Sequence, residues 1–96
     1  MQTVIQSVDR TPERHVVVNT SVDLLHCPIR IEKDALRQLG YTIWRPAALR
    51  PLVVAAVERE TRRRGRVPLG GFEVTADDLE GLPRQTGGGS TEGPSA

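Results

Sequence analysis

The sequence predicts a small α+β domain: an N-terminal antiparallel sheet of two or three strands, covered by a short helix and one longer helix. Three observations favour this class. β-branched residues fill short runs in the first third of the chain, and turn residues separate them. A helical apolar period then takes over, and one later segment carries signals for both ends of a helix. At 96 residues the chain forms one domain.

The predicted strands lie in the first third of the chain. Residues 2–8 have strand composition and stop at the turn sequence Asp9-Arg10-Thr11-Pro12, after which a strand restarts at His15. Residues 15–25 form either one bent strand or two, and the sequence leaves both open. Cys27-Pro28 interrupts the pattern because proline cannot donate to a strand ladder, and alternation resumes over residues 29–31.

Two helices follow. The short one begins at Glu32 or Asp34 and is closed by Gly40. Residues 41–50 are predicted to be a loop or a single turn, because a helix starting there would contain Pro51 in its interior. The long helix is predicted from Pro51, a favoured first residue, to Gly65, a favoured C-terminal cap.

The last third is predicted to hold little regular structure. Residues 66–75 form two short apolar arms around Gly70-Gly71 and indicate a tight hairpin. Residues 75–79 then favour a brief helix that ends at Gly81. From residue 83 the Gly, Ser and Pro content is typical of a flexible tail. The prediction is therefore one domain over residues 1–82 and a tail over 83–96.

Positive charge is concentrated in the middle of the chain. The net charge is only +1, yet residues 30–66 hold ten basic and four acidic residues, whereas residues 67–96 hold one basic and five acidic. Twelve of the thirteen basic residues are arginine. This bias indicates a GC-rich genome, such as that of an actinobacterium or one of its phages, and arginine's planar fork also suits phosphate. A small basic domain is a candidate for binding a polyanion.

The predicted anion-binding residues are the arginines of the long helix and its flanks. Helical spacing would place four of them on one side, where their guanidinium groups could face a phosphate backbone. A simpler interpretation is a solvated helix end that complements the helix dipole and pairs with Glu58 and Glu60. The candidate residues are Arg45, Arg50, Arg59, Arg62, Arg63, Arg64 and Arg66.

Two stretches resemble DNA-binding families. Residues 34–50 resemble a helix-turn-helix with Gly40 at the turn, although Pro46 and Pro51 depart from that pattern. Residues 27–32, followed by two helices, resemble ribbon-helix-helix repressors, which would place Arg30 and Glu32 against bases. Both resemblances imply that the partner is DNA.

Other chemistry is not indicated. His15, His26 and Cys27 are too few for a zinc site unless carboxylates join them, and we expect no metal, cofactor or catalytic centre. The single cysteine and the absence of a long apolar run predict a cytoplasmic protein, or a virion component, with no membrane segment. The leading hypothesis is a non-enzymatic DNA-binding module that self-associates. The alternative is a structural or adaptor subunit of a larger assembly, such as a phage particle.

Overall fold

The computed structural model describes residues 1–85 and confirms the α+β class. Three strands precede two helices and a last short strand. The elements are β1 (Thr3–Asp9), β2 (His15–Val22), β3 (Leu25–Glu32), α1 (Lys33–Gln38), α2 (Pro46–Arg64) and β4 (Phe72–Val74). Within these residues, neither helix is long and apolar enough to cross a bilayer.

The strands form one sheet in the order β1-β2-β3-β4. β1, β2 and β3 pair antiparallel, whereas β4 runs parallel to β3, with Phe72 opposite Ile29 and Val74 opposite Ile31. The predicted hairpin over residues 66–75 is therefore wrong. Phe72 and Val74 are buried beside the isoleucines of β3, a burial of apolar surface that a solvent-exposed hairpin would not provide.

Proline does not interrupt the sheet as the sequence predicted. β2 and β3 are joined by the two-residue turn Asp23-Leu24, and β3 continues through Pro28, which lies opposite Asn19. The residues that flank a two-residue hairpin turn form a hydrogen-bonded pair. Hydrogen-bonded and non-hydrogen-bonded pairs alternate along an antiparallel ladder, so Asn19 and Pro28 form a non-hydrogen-bonded pair. The nitrogen of Pro28 therefore needs no acceptor in β2.

A bulge in β1 keeps Ile5 and Val8 on one face. Ile5 lies opposite Thr20 and Ser7 lies opposite Asn19, so Gln6 is the extra residue. Without that residue, Ile5 and Val8 would point to opposite faces, because they are three positions apart. With it, both pack against the core.

α2 starts at Pro46, five residues before the predicted position. Pro46 occupies the first helical turn, and Pro51 lies inside the helix. A proline there removes the bond to the carbonyl of Ala47, but Ala47 and Pro51 are both exposed, so water can satisfy that carbonyl. The helix ends at Gly65, as predicted, in a left-handed conformation.

Both helices contribute to a core on one face of the sheet. The buried sheet residues alternate along each strand, and the helices cover them with Leu, Val and Ala side chains. The larger buried residues are Val16, Val18, Val22, Ile29, Ile31, Leu36, Tyr41, Leu49, Leu52, Val53, Val57 and Val74. The other face of the sheet carries the intervening residues, and neither α1 nor α2 covers it.

The segment after β4 consists of turns and not the predicted brief helix. The N–H of Asp78 donates to Thr75 and that of Leu82 donates to Leu79, both at 3.1 Å. The side chain of Asp78 does not cap a helix, because it is engaged by Arg63 of α2.

The chain remains attached to the domain beyond residue 82. Gln85 donates its N–H to the carbonyl of Leu39 at 2.9 Å, and the hydroxyl of Tyr41 donates to that of Pro83 at 3.1 Å. Residues 83–85, which the sequence placed in the tail, thus lie against the connection between α1 and α2. The rest of the predicted tail, residues 86–96, lies outside the described residues.

The two glycines before β4 provide a test of the parallel pairing. Gly71 has a φ of 92°, and a Cβ there would overlap the carbonyl oxygen of Pro28, whereas Gly70 has a φ of 86° and open space around it. Gly70→Ala is expected to cost about 1 kcal/mol from left-handed strain alone. Gly71→Ala should cost about 3 kcal/mol or more, because the backbone of β4 must also move away from β3. Urea unfolding of both variants measures the difference, and equal losses would contradict the close approach.

Candidate functional site

Arg59 is an interior residue. It is 5% exposed, and its Nη1 donates to the carbonyl oxygens of Asp78 at 2.9 Å and Glu80 at 3.0 Å. Asp78 Oδ1 lies 3.4 Å from the same nitrogen. Within residues 1–85, Nε and Nη2 have no hydrogen-bond partner. Arg59 thus joins α2 to the chain after β4 and is not available to an external polyanion.

The next arginines pair with carboxylates of the same chain. Arg63 makes a two-pronged contact with Asp78, at 2.7 and 3.1 Å. Arg64 Nε donates to Glu60 Oε1 at 3.1 Å, and Glu60 also lies 3.5 Å from Arg63. The acidic segment after β4 therefore neutralises part of the basic helix end. The pairing with Glu60 agrees with the simpler interpretation, whereas Asp78, from outside the helix, is a partner that it did not include, and Glu58 makes no ion pair among the described residues.

Arg50 has a role in the sheet. Its Nη1 donates to the carbonyl of Thr3 at 2.8 Å. The carbonyl of Gln2 accepts the N–H of Asp23, in the turn that follows β2. Successive carbonyls of a strand alternate in direction, so the carbonyl of Thr3 points toward the open edge of β1. Arg50 thus covers a backbone acceptor that would otherwise be unpaired.

All of the candidate arginines except Arg59 are exposed, and three of them have no partner in the part of the chain that the structure describes. Arg45 is the N-terminal cap residue of α2, Arg62 lies in its last turn, and Arg66 follows Gly65. Within the described residues they make no side-chain hydrogen bond or ion pair. Because the left-handed Gly65 ends the helix, Arg66 does not continue the helical row that the sequence predicted. The structure therefore does not bring the seven arginines together on one surface.

A second surface, which sequence reasoning missed, lies at the end of the sheet where β2 turns into β3. The start of β1 meets this turn, because Gln2 and Asp23 exchange hydrogen bonds through backbone and side chain. Its exposed apolar side chains are called the apolar end: Leu24 in the turn, Leu25 on the helix-covered face of the sheet, Val4 on the open face, and Met1 before β1.

Leu24 is the most unusual residue of the apolar end. It is 93% exposed, and both turn residues have positive φ, 50° at Asp23 and 71° at Leu24. Such turns favour Asn-Gly or Asp-Gly, because a leucine in the left-handed region is strained by its Cβ. The sequence does contain a signal for this surface: Asp-Leu-Leu stands at a position between two strands where a turn usually has Asp-Gly.

The histidines and the cysteine do not form one site. His15 pairs with Glu32 at one end of the β2–β3 ladder, whereas His26 and Cys27 lie near the other end, about 20 Å away at 3.3 Å per residue. His26 is exposed. Cys27 is buried, its thiol donates to the carbonyl of Pro68 at 3.2 Å, and burial raises the pKa of the thiol. Cys27 is therefore a core residue held as the neutral thiol.

The two DNA-binding resemblances do not extend to the fold. β3 pairs with β2 on one side, and its residues 29–31 pair with β4 on the other, so this part of β3 has no free edge for the ribbon of a second copy. α2 packs along the sheet and supplies core residues, unlike a recognition helix that projects into a groove. Comparisons with protein-family models, curated proteins and solved structures found no match to this chain.

The contact between Asp78 and Arg63 predicts a pH effect on stability. The hydrogen bond from Arg63 is the main reason that the pKa of Asp78 is lowered in the folded protein. The ionised carboxylate therefore stabilises the fold above the ordinary carboxyl pKa of about 3.9, and this contribution is lost as the pH falls through the lowered value.

Asp78→Asn should therefore lower stability near pH 7 by about 1 kcal/mol, since the pair is partly exposed, and the difference from wild type should shrink toward pH 3. Asp77→Asn removes the same charge from the adjacent exposed residue and serves as the control. Thermal unfolding followed by circular dichroism at both pH values measures the effect. Equal behaviour of the two variants would show that the contact adds nothing.

Proposed function

We propose that this chain is a non-enzymatic binding module that docks onto an apolar surface of a protein through its apolar end, as an adaptor or structural subunit of an assembly. The observation that carries the proposal is Leu24, an almost fully exposed leucine held at positive φ. Strain at a solvent-exposed position contributes nothing to folding, and residues kept in such conformations cluster at binding sites.

The composition of the apolar end supports a protein partner. Scattered exposed apolar residues are ordinary, but grouped ones mark interaction sites. Leu24 and Leu25 are adjacent at the β2–β3 turn, and Met1 and Val4 lie within two residues of Gln2, which bonds to that turn. The bonds between Gln2 and Asp23 hold the backbone there, so docking would require little ordering of the chain.

A second copy of the chain is the partner that can be tested directly. An apolar surface without its physiological partner associates with itself at high concentration by mass action. The proposal therefore expects reversible self-association of the purified protein, and substitutions at the apolar end should weaken it.

Leu24→Gly separates binding from folding. Glycine relieves the left-handed strain and removes an exposed side chain, so the free energy of unfolding should rise by about 1 kcal/mol. Self-association, measured by sedimentation velocity over a concentration series, should weaken at the same time.

The control is Leu24→Ala, which removes the side chain but keeps the strained Cβ. It should reduce self-association to the same extent without the gain in stability. A wild-type protein that stays monomeric at all concentrations, or a Leu24→Gly variant that associates as wild type does, would count against docking through this end.

Nucleic-acid binding is a second candidate, favoured by the exposure of Arg45, Arg62 and Arg66 and by their lack of partners within residues 1–85. Contacts of this kind would go to the phosphate backbone and weaken steeply with salt. The number of available arginines is smaller than the sequence suggested, so only modest affinity is expected.

Titration of a DNA duplex at low and moderate salt tests this candidate. Under it, the double variant Arg62→Ala/Arg66→Ala should bind about tenfold more weakly than wild type and show a shallower salt dependence. The charge-matched control is Arg10→Ala/Arg14→Ala, in the turn between β1 and β2. Equal losses in both double variants would indicate only an effect of net charge, and salt-independent binding would exclude a phosphate contact.

A further inference from the structure

The open face of the sheet brings one histidine and two glutamates together from three adjacent strands. His15 of β2 lies opposite Glu32 of β3, and Glu73 belongs to β4. Their neighbours Val16, Ile31 and Val74 point into the core, so the alternation of the strands points these three side chains to the other face. One ligand atom from each lies within 4.8 Å of the other two.

We propose that His15, Glu32 and Glu73 bind a divalent transition-metal ion of the zinc class. Imidazole nitrogen and carboxylate oxygen are both zinc ligands, with bonds of about 2.0–2.2 Å, which puts ligand atoms of a tetrahedral site about 3.3 Å apart. The two atoms of His15 and Glu73 are 2.7 Å apart, shorter than that value, and all three ligand atoms lie within 4.8 Å of one another. Small side-chain movements would therefore let the three residues occupy three of the four coordination positions of the metal, and water would occupy the fourth.

The contact between His15 and Glu73 is the part of the site that the ion changes. His15 Nε2 and Glu73 Oε2 are 2.7 Å apart and share one hydrogen. A metal at Nε2 takes the place of that hydrogen, which in the neutral imidazole is carried on Nδ1 instead, while Nε2 and Oε2 move apart slightly. The side chains are 28% and 34% exposed, so the ion can enter from solvent.

Glu32 is already oriented for the site. Its Oε1 accepts the backbone N–H of Ala76, just after β4, which leaves Oε2 available to the ion. Hydrogen bonds of this kind fix the direction of metal-binding carboxylates. The backbone of the sheet positions all three ligands, so binding does not require a loop to fold.

Nearby cations limit the choice of metal. Arg30 Nη2 lies 3.7 Å from Glu73 Oε1, beyond hydrogen-bond distance, and its side chain is well exposed and free to turn away. Arg14 and Lys33 line the adjacent cleft beside Glu32. Two further acidic residues line the same cleft, so these surroundings are of mixed charge and do not attract hard cations by charge alone, whereas imidazole coordination favours zinc over magnesium or calcium.

The test is calorimetric titration of the full chain with zinc chloride, beside four variants. His15→Ala should weaken binding by about 100-fold or more. Glu73→Gln and Glu32→Gln retain a hydrogen-bonding oxygen but lose the charge, and each should weaken binding by about tenfold. The matched control is His26→Ala, which removes the other histidine, at the far end of the ladder, and should leave the affinity unchanged.

Imidazole NMR of the wild-type protein tests the site independently of whether the variants fold. Zinc should shift the ring resonances of His15 before those of His26, and excess magnesium or calcium should not reverse the shift. Parallel shifts of both histidines, an equal loss in His26→Ala, or wild-type affinity no greater than that of His15→Ala would each identify adventitious histidine binding and overturn the proposal.

Discussion

The parallel pairing of β4 with β3 is the constraint on which the rest of the structure depends. Two parallel neighbours cannot be joined by a tight turn, so the chain must cross over the sheet between them. α1 and α2 form this connection and bring the apolar side chains that cover one face of the sheet. The pairing spans only three residues, so it is reinforced by the absence of a side chain at Gly71 and by the hold of Arg59 on the chain after β4.

Local patterns predicted the elements whose signals lie within a few residues. The first strands, the short helix closed by Gly40 and the helix end at Gly65 were all recovered from apolar period and turn chemistry. The start of α2 was missed because the cost of Pro51 depends on whether water reaches the freed carbonyl, which the sequence does not reveal. The second arm of the predicted hairpin is β4, but its pairing with β3 was missed because the partner residues lie more than forty positions away in the chain.

The candidate arginines show the limit of reasoning from charge and helical spacing. Spacing placed Arg59 and Arg63 on one side of a helix correctly, but their partners come from residues 78–80, whose path was unknown. Composition therefore revealed where positive charge is concentrated, not how much of it the same chain neutralises. The apolar end was not predicted because its two leucines have the pattern of strand residues. Only the strand register shows that one of them occupies the turn.

The contact of Arg50 with the carbonyl of Thr3 has a consequence for solubility. β1 is a seven-residue outer strand, and such strands can recruit extended segments of other molecules and grow into aggregates. The guanidinium of Arg50 occupies the outward-facing carbonyl of Thr3, and the bulge at Gln6 distorts the strand a few residues later. A strand from another molecule therefore pairs poorly with this edge. The chain can therefore expose leucines at the β2–β3 turn while the outer edge of β1 resists fibril-like stacking.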